Sequence, residues 1–209
     1  MSGIVEASVE KYFYGLLPAR DPVLAEMERA AAERDIPIVG PAVGRLLFQY
    51  VQLIGARRIF EMGSAIGYST LWLARAVGPG ATVYYTDGDP KNAGEARGYF
   101  QRAGVAERIQ VLVGNSLELI NEVEGEFDLI FNDVDKHDYP EVFRRAVPRL
   151  RRGGLFISDN ALWFGRVAQG ATDPDTAGIR EFNRLIYSSP ELFATLVPLR
   201  DGVVVCHKL

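Results

Sequence analysis

The strongest constraint on the fold of this chain is an alternation repeated along its middle. The short apolar runs "RRIFEM", "TVYYTD", "RIQVLVG", "FDLIF" and "GLFISD" are separated by "STLWLARAV", "PKNAGEARGYFQRAG", "SLELINEV" and "YPEVFRRAVPRL", whose apolar residues recur at helical spacing. Short β-branched and aromatic runs punctuated by helices make βαβ units, in which successive strands lie parallel. Parallel sheets are covered by helices on both faces, so an α/β, doubly wound architecture is expected. The tail departs from this pattern. Helix "GIREFNRLIYSS" leads to "LFATLVPL" and "VVVCHKL", joined only through Arg200, Asp201 and Gly202, a connection too short for a crossover. Those two strands must pair antiparallel, which gives a seven-stranded, mostly parallel sheet with an antiparallel C-terminal pair.

Ahead of the alternation, residues 1–40 read as an N-terminal helical segment. In "DPVLAEMERAAAER", Asp21 is placed as an N-cap, Pro22 as the first helical residue, and Val23, Leu24, Met27, Ala30 and Ala31 fall on one face. A second helix follows in "GPAVGRLLFQYVQLIGA". The stretch "GRVAQGATDPDTAG", Gly165 to Gly178, reads as the one long irregular connection, a length usually reserved for function. At 209 residues the chain suits a single domain, 1–209.

Several function classes are disfavoured at this level. No segment approaches the roughly 18 to 20 apolar residues that span a bilayer, so no membrane partner is expected. The N-terminus lacks the basic, apolar and small-residue regions of a signal peptide, and a cytoplasmic location is the expectation. The lone cysteine, Cys206, excludes an internal disulfide framework and reads as a buried thiol. A net charge of −4 argues against a nucleic-acid partner, and the basic run "RRAVPRLRRGG" reads as a solvated helix face with favourable C-terminal charges.

In an open parallel sheet, ligands bind beyond the carboxyl ends of the strands, so the polar residues closing each run are the candidate site. The first run closes in "FEMGSAIGYST", where Gly63 and Gly67 permit a sharp turn and Ser69 and Thr70 open a helix whose amides favour an anion. The spacing is not the dinucleotide fingerprint. The second run ends at Asp87, about twenty residues after Gly67, where a carboxylate accepts hydrogen bonds from ribose hydroxyls or else belongs to a capping turn with Asp89. After the third, Asn115 and Ser116 either meet a base edge or cap a short helix. The fourth ends in Asp133 and the fifth in Asp159 and Asn160. Three oxygen donors from two strand ends suit a hard cation such as Mg2+, or another divalent ion such as Mn2+ or Ca2+. His137 has no histidine partner, and His207 reads as structural. Lys136, three residues beyond Asp133, would sit beside such a cation and is suited to accept a proton.

Taken together, "FEMGSAIGYSTLWLA", "NDVDKHDY" and "SDNALWFGRVA" resemble the cation-dependent S-adenosylmethionine O-methyltransferases, the group containing the caffeoyl-CoA and catechol O-methyltransferases. The resemblance runs from about Ile38 to the C-terminus and implies a Rossmann-like fold, S-adenosylmethionine as cofactor and a homodimer. By position it implicates Val39, Glu61, Gly63, Ser64, Ser69, Asp87, Ser116 and Asp135 in cofactor binding. It also implies Asp133, Asp159 and Asn160 as metal ligands, Lys136 with Asp133 as the catalytic pair, and Trp163 and Phe164 as a substrate-facing wall. The chain departs from the family at Asn132 and Val134, where other members often carry apolar and small residues, and its N-terminal segment is short beside plant members. The expected function is methylation of a hydroxyl on a catechol-like or caffeoyl-type small molecule, with the N-terminal segment making substrate or dimer contacts. The alternatives are an NAD-type oxidoreductase, opposed by the glycine spacing, and a non-catalytic adenosyl-ligand-binding module, opposed by the intact Asp133, Lys136, Asp159 and Asn160.

Overall fold

The computed structural model describes residues 4–209, so Met1 to Gly3 of the N-terminal segment lie outside the described residues. Strands β1 (Arg58–Met62), β2 (Thr82–Asp87), β3 (Ile109–Val113), β4 (Phe127–Asn132), β5 (Leu150–Ser158), β6 (Leu192–Val197) and β7 (Val203–Lys208) form one sheet in the order β3-β2-β1-β4-β5-β7-β6. The neighbours among β1 to β5 pair parallel, and β7 runs antiparallel to both β5 and β6. The parallel core and the antiparallel C-terminal pair are as the alternation predicts.

Side chains along each strand alternate between two apolar layers. Ile59, Val83, Tyr85, Phe131, Ile157 and Val205 pack under α2 (Pro22–Arg34), α3 (Gly40–Ile54), α4 (Tyr68–Ala76) and α5 (Pro90–Arg102). Their neighbours Phe60, Met62, Ile130, Phe156, Val204 and Cys206 pack on the other face against α6 (Ser116–Glu122), α7 (Tyr139–Ala146) and α8 (Pro174–Ser188). This period of two is the strand signature, and it requires helices on both faces to keep both layers dry. Cys206 is buried, and burial pushes its thiol up to about 12. His207, next along β7, is exposed opposite Leu155 and Phe193. Among the described residues no helix is long and apolar enough to cross a membrane.

The N-terminal segment carries α1 (Ala7–Gly15) and α2. As the sequence predicts, Asp21 caps α2 by accepting from the amides of Val23 and Leu24 with Pro22 opening the helix. Three sequence expectations need correction. The segment Gly165 to Gly178 is not irregular throughout, because a short 3₁₀ stretch, Trp163–Ala168, enters it and α8 begins at Pro174. Asp173 accepts from Thr176 N at 3.1 Å and caps that helix, the same Asp-Pro device that starts α2. The basic run is not only a solvated face. Arg145 donates to the Leu117 carbonyl in the first turn of α6, and Arg149 to those of Ile120, Val123 and Gly125, which lie at and just beyond the end of that short helix, where carbonyls lack intrahelical partners. Finally, β5 starts at Leu150 and not Gly154, with a register shift against β4 that lets Arg151 meet Asp128 at 2.5 Å.

Candidate active site

The strand order reverses between β1 and β4, and a cleft of about 530 Å³ opens above that point, within the size range of small-molecule sites. Its walls include Val39, Gly63, Ser64, Ser69, Asp87, Ser116, Asp133, Asp135 and Lys136, nine of the residues singled out in the sequence. They arrive together because three strands end level. Met62 pairs with Asn132 and Asn132 with Ser158, so the next residues, Gly63, Asp133 and Asp159, leave the sheet side by side. Hydrogen bonds from Asp133 N to Met62 O (2.9 Å) and Asp159 N to Asn132 O (3.1 Å) continue the ladders one step past the strands.

At one end of the cleft, Gly63 adopts φ +80, and a Cβ there would stand 2.6 Å from the Asp133 carbonyl. Only glycine lets the β1 and β4 exits run this close. Asp87 accepts from Ala65 N (2.9 Å), Asp89 N (2.8 Å) and Asn92 Nδ2 (3.1 Å), bracing the glycine turn while facing the cleft. Asp89 rather than Asp87 caps α5, accepting from Lys91 N. Asn115 is the cap of α6 through Leu117 N, while buried Ser116 lines the cleft. Glu61 lies beneath this wall with no exposed surface and accepts from the hydroxyls of Ser64 and Thr70. Burial pushes its carboxyl up to about 7 against the lowering effect of the Ser69, Thr70 and Ser64 hydroxyls. Its position supports the turn from below.

At the other end, Lys136 Nζ donates to Asp133 Oδ1 (2.9 Å) and to the Val134 carbonyl (3.0 Å). Asp159 is almost fully buried behind Asp133, and its Oδ1 has no hydrogen-bond partner. Burial, and then the charge of Asp133, push the Asp159 carboxyl up to about 8. Burial likewise raises the Asp133 carboxyl, opposed by Lys136. Two adjacent carboxyls held above their ordinary range, one with an orphaned oxygen, would be compensated by a cation, so the residues present fit a divalent ion. Among the described residues no three His, Cys, Asp or Glu side chains converge as a metal set; the third oxygen donor expected from the sequence is the amide of Asn160. That amide donates to Asp201 Oδ2 at 2.8 Å, and its Oδ1 faces the Tyr139 hydroxyl at 3.4 Å.

Trp163 and Phe164 lie outside the cleft wall. Trp163 packs on the α6–α8 side and lies 5.7 Å from the Lys136 ammonium, while Phe164 is exposed with φ +53. His137 is a surface residue 3.2 Å from Asp175 of α8. Sequence reasoning missed Tyr139, Arg200 and Asp201. Tyr139 Oη donates to the Asp159 carbonyl at 3.1 Å, and Arg200 Nη1 stands 3.8 Å from Asp159 Oδ2. The last two sit in a turn whose only legible signal was its shortness.

Residues 18–209 match a family model described as O-methyltransferase. The chain is 33% identical over 206 residues to a catechol O-methyltransferase of Niastella koreensis, covering 95% of this chain and 93% of that protein. It is also 33% identical to a catechol O-methyltransferase of Mycobacterium tuberculosis, over 90% of this chain and 87% of that one. Among solved structures, it is similar to the O-methyltransferase from Bacillus cereus in complex with SAH, with a TM-score of 0.87, 34% identity and 97% of each chain covered. It is similar too to the O-methyltransferase TomG from Streptomyces achromogenes in complex with SAM, with a TM-score of 0.88, 30% identity and 96% of each chain covered.

Proposed function

We propose an acceptor class and a chemistry for a chain that belongs to the O-methyltransferase family: an S-adenosylmethionine-dependent O-methyltransferase that acts, with a divalent cation, on one hydroxyl of a catechol-like or caffeoyl-type small molecule. The observation that carries this reading is one cleft lined together by the glycine turn at Gly63, by Asp87 and by Asp133 with Lys136, with the buried Asp159 one strand over from Asp133. The names of the relatives from Niastella koreensis and Mycobacterium tuberculosis support the acceptor class.

In this reading Val39, Gly63, Ser64, Ser69, Asp87, Ser116 and Asp135 hold S-adenosylmethionine, and Glu61 keeps the Ser64 and Thr70 hydroxyls in place. Asp133, Asp159 and Asn160 would hold Mg2+, which when bound supplies a Lewis acid that gathers adjacent substrate oxygens and acidifies the hydroxyl to be methylated. Lys136 receives or orients that hydroxyl's proton, aided by a position fixed at two points by Asp133 and the Val134 carbonyl. Asp133 thereby serves both the cation and the lysine. Much of the acceleration is positioning, for which effective molarities are worth roughly 7 to 11 kcal/mol. Trp163, 5.7 Å from the Lys136 ammonium, borders the acceptor side just outside the cleft wall, and Phe164 beside it stands farther out on the surface. The exposed apolar residues Val9 and Tyr12 on α1, Leu16 just after it and Leu53 on α3 support a homodimer through that face, and the net negative charge supports the absence of a nucleic-acid partner.

The test is transfer of a labelled methyl group from S-adenosylmethionine to a panel of catechols, caffeoyl esters and matched monophenols, with Mg2+ or with excess chelator. Transfer to the vicinal diols that disappears with chelator is the expected result. Equal transfer in chelator, or a preference for the monophenols, removes the chelated-diol reading.

A further inference from the structure

The turn between β6 and β7 brings two consecutive residues against two consecutive residues at the end of β5. Arg200 Nη1 donates to the Ile38 carbonyl at 2.9 Å and lies 3.8 Å from Asp159 Oδ2. Asp201, with no exposed surface, accepts from Asn160 Nδ2 at 2.8 Å. The two backbones are clasped as well, with Ala161 N donating to Gly202 O and Leu162 N to Asp201 O, both at 2.8 Å. A Cβ on Gly202 would stand 2.7 Å from Leu162, so the turn cannot be lifted or thickened without disturbing the clasp.

We propose that this turn sets the affinity of the cation site from behind, with Asp201 and Arg200 as positioning residues of opposite sign; the inference rests on the reading that Asp133, Asp159 and Asn160 hold the cation. A carboxylate has only acceptors, so Asn160 must turn its NH2 toward Asp201, which leaves its Oδ1, 3.4 Å from the Tyr139 hydroxyl and with a second lone pair, as the atom that would meet a cation. Groups of this kind, which orient a ligand rather than touch the metal, typically matter roughly 10- to 100-fold in metal affinity. Arg200 acts against the ion. Its guanidinium places a fixed positive charge beside the buried Asp159 carboxylate, partly meeting the need that a cation would otherwise meet, and so weakens the site. It is also a non-glycine residue at φ +54, a conformation glycine adopts without cost, so the side chain is present despite the backbone it occupies.

The experiment measures binding of Mn2+ alone to the full chain, without cofactor or acceptor, from the loss of the free-ion electron paramagnetic resonance signal. Asp201→Asn, which keeps the shape but frees the amide of Asn160 to turn, is expected to bind Mn2+ roughly tenfold more weakly or worse. Arg200→Gly is expected to bind severalfold more tightly, and Arg200→Lys, which restores a positive charge, to return toward the parent. A turn with a merely structural role would weaken binding in both Asp201→Asn and Arg200→Gly, so shifts of the same sign, or no shift in either, overturn the inference. If Asp201→Asn melts too low to measure, the contrast between Arg200→Gly and Arg200→Lys decides alone. A parent protein that binds no Mn2+ overturns the cation reading itself and is distinguishable from both outcomes.

Discussion

Lys136 Nζ is held 2.9 Å from Oδ1 of Asp133, three residues earlier, and 3.0 Å from the carbonyl of Val134 between them. The ammonium is therefore fixed over the cleft by its own loop and does not depend on substrate for its position. Lys136→Ala is expected to lower kcat about 10²- to 10⁴-fold. Cofactor affinity, measured by calorimetric titration with S-adenosylhomocysteine, should stay within about threefold, since lysine takes no part in the glycine turn. Turnover equal to the parent's would take the lysine out of the proton step.

Cation binding should read out as stability. Mg2+ at about 100 times its Kd adds about 2.7 kcal/mol to the unfolding free energy of a protein that binds it only when folded. The melting temperature is expected to rise on adding Mg2+ to the parent and not to Asp159→Asn. The rise should be larger near pH 8 than near pH 6, because the Asp159 carboxyl is pushed up to about 8 and protons compete with the ion below that. A pH-independent rise would count against Asp159 as a ligand.

Glu61 provides a pH signature away from the cation. Its carboxyl is raised from 4.5 to about 7 by burial, so the folded state holds a proton there that the unfolded state has released. The associated stabilisation is complete below about pH 4.5 and is lost as pH rises through about 7. Melting curves in chelator should show Glu61→Gln gaining on the parent between roughly pH 5 and roughly pH 8, since an amide has no proton to lose. A difference that stays flat across that window would place the titration elsewhere.

Gly178 of α8 packs against the loop that carries the lysine. A Cβ there would stand 2.4 Å from the Lys136 carbonyl and 2.8 Å from the His137 Cα, both backbone atoms that cannot swing aside. Gly178→Ala is expected to cost about 1 to 3 kcal/mol in denaturant unfolding and to lower kcat more than it changes cofactor affinity. Unchanged stability would mean α8 slides freely.

The α1–α3 face leaves Tyr12 70% and Leu53 71% exposed, beside a groove lined by Phe13, Leu17 and Phe48. Light scattering behind a sizing column should return twice the chain mass for the parent and the single chain mass for Tyr12→Glu/Leu53→Glu. A monomeric parent would refute the homodimer outright.

The fold was legible where a local signal and the tertiary structure agree. "TVYYTD" is β2 residue for residue, and Asp21 with Pro22 starts α2 where the capping chemistry puts it. The same signal at Asp173 and Pro174 was lost among the Gly, Ala and Thr around it, which read as loop. In the candidate site, Asp133, Asp135 and Lys136 were legible because one strand end delivers all three. Arg200 and Asp201 were not, since a hairpin about 40 residues beyond Asn160 brings them in, and no local pattern encodes which strand that hairpin joins. Glu61 was legible as a motif position but not as a support, because only the packing shows it sealed beneath Ser64.

The level exits of β1, β4 and β5 have a consequence for how the chain can be altered. Gly63, Asp133 and Asp159 stand on three neighbouring strands, and strands sit about 4.8 Å apart. The span from cofactor turn to cation end is thus a fixed gauge cut by backbone pairing, independent of any loop. Loop grafts at 163–173 or in the N-terminal helices can reshape what the acceptor must look like while the gauge stays constant. A single-residue deletion inside β4 or β5 would do the reverse, turning Asp133 or Asp159 to the opposite face and leaving every loop in place.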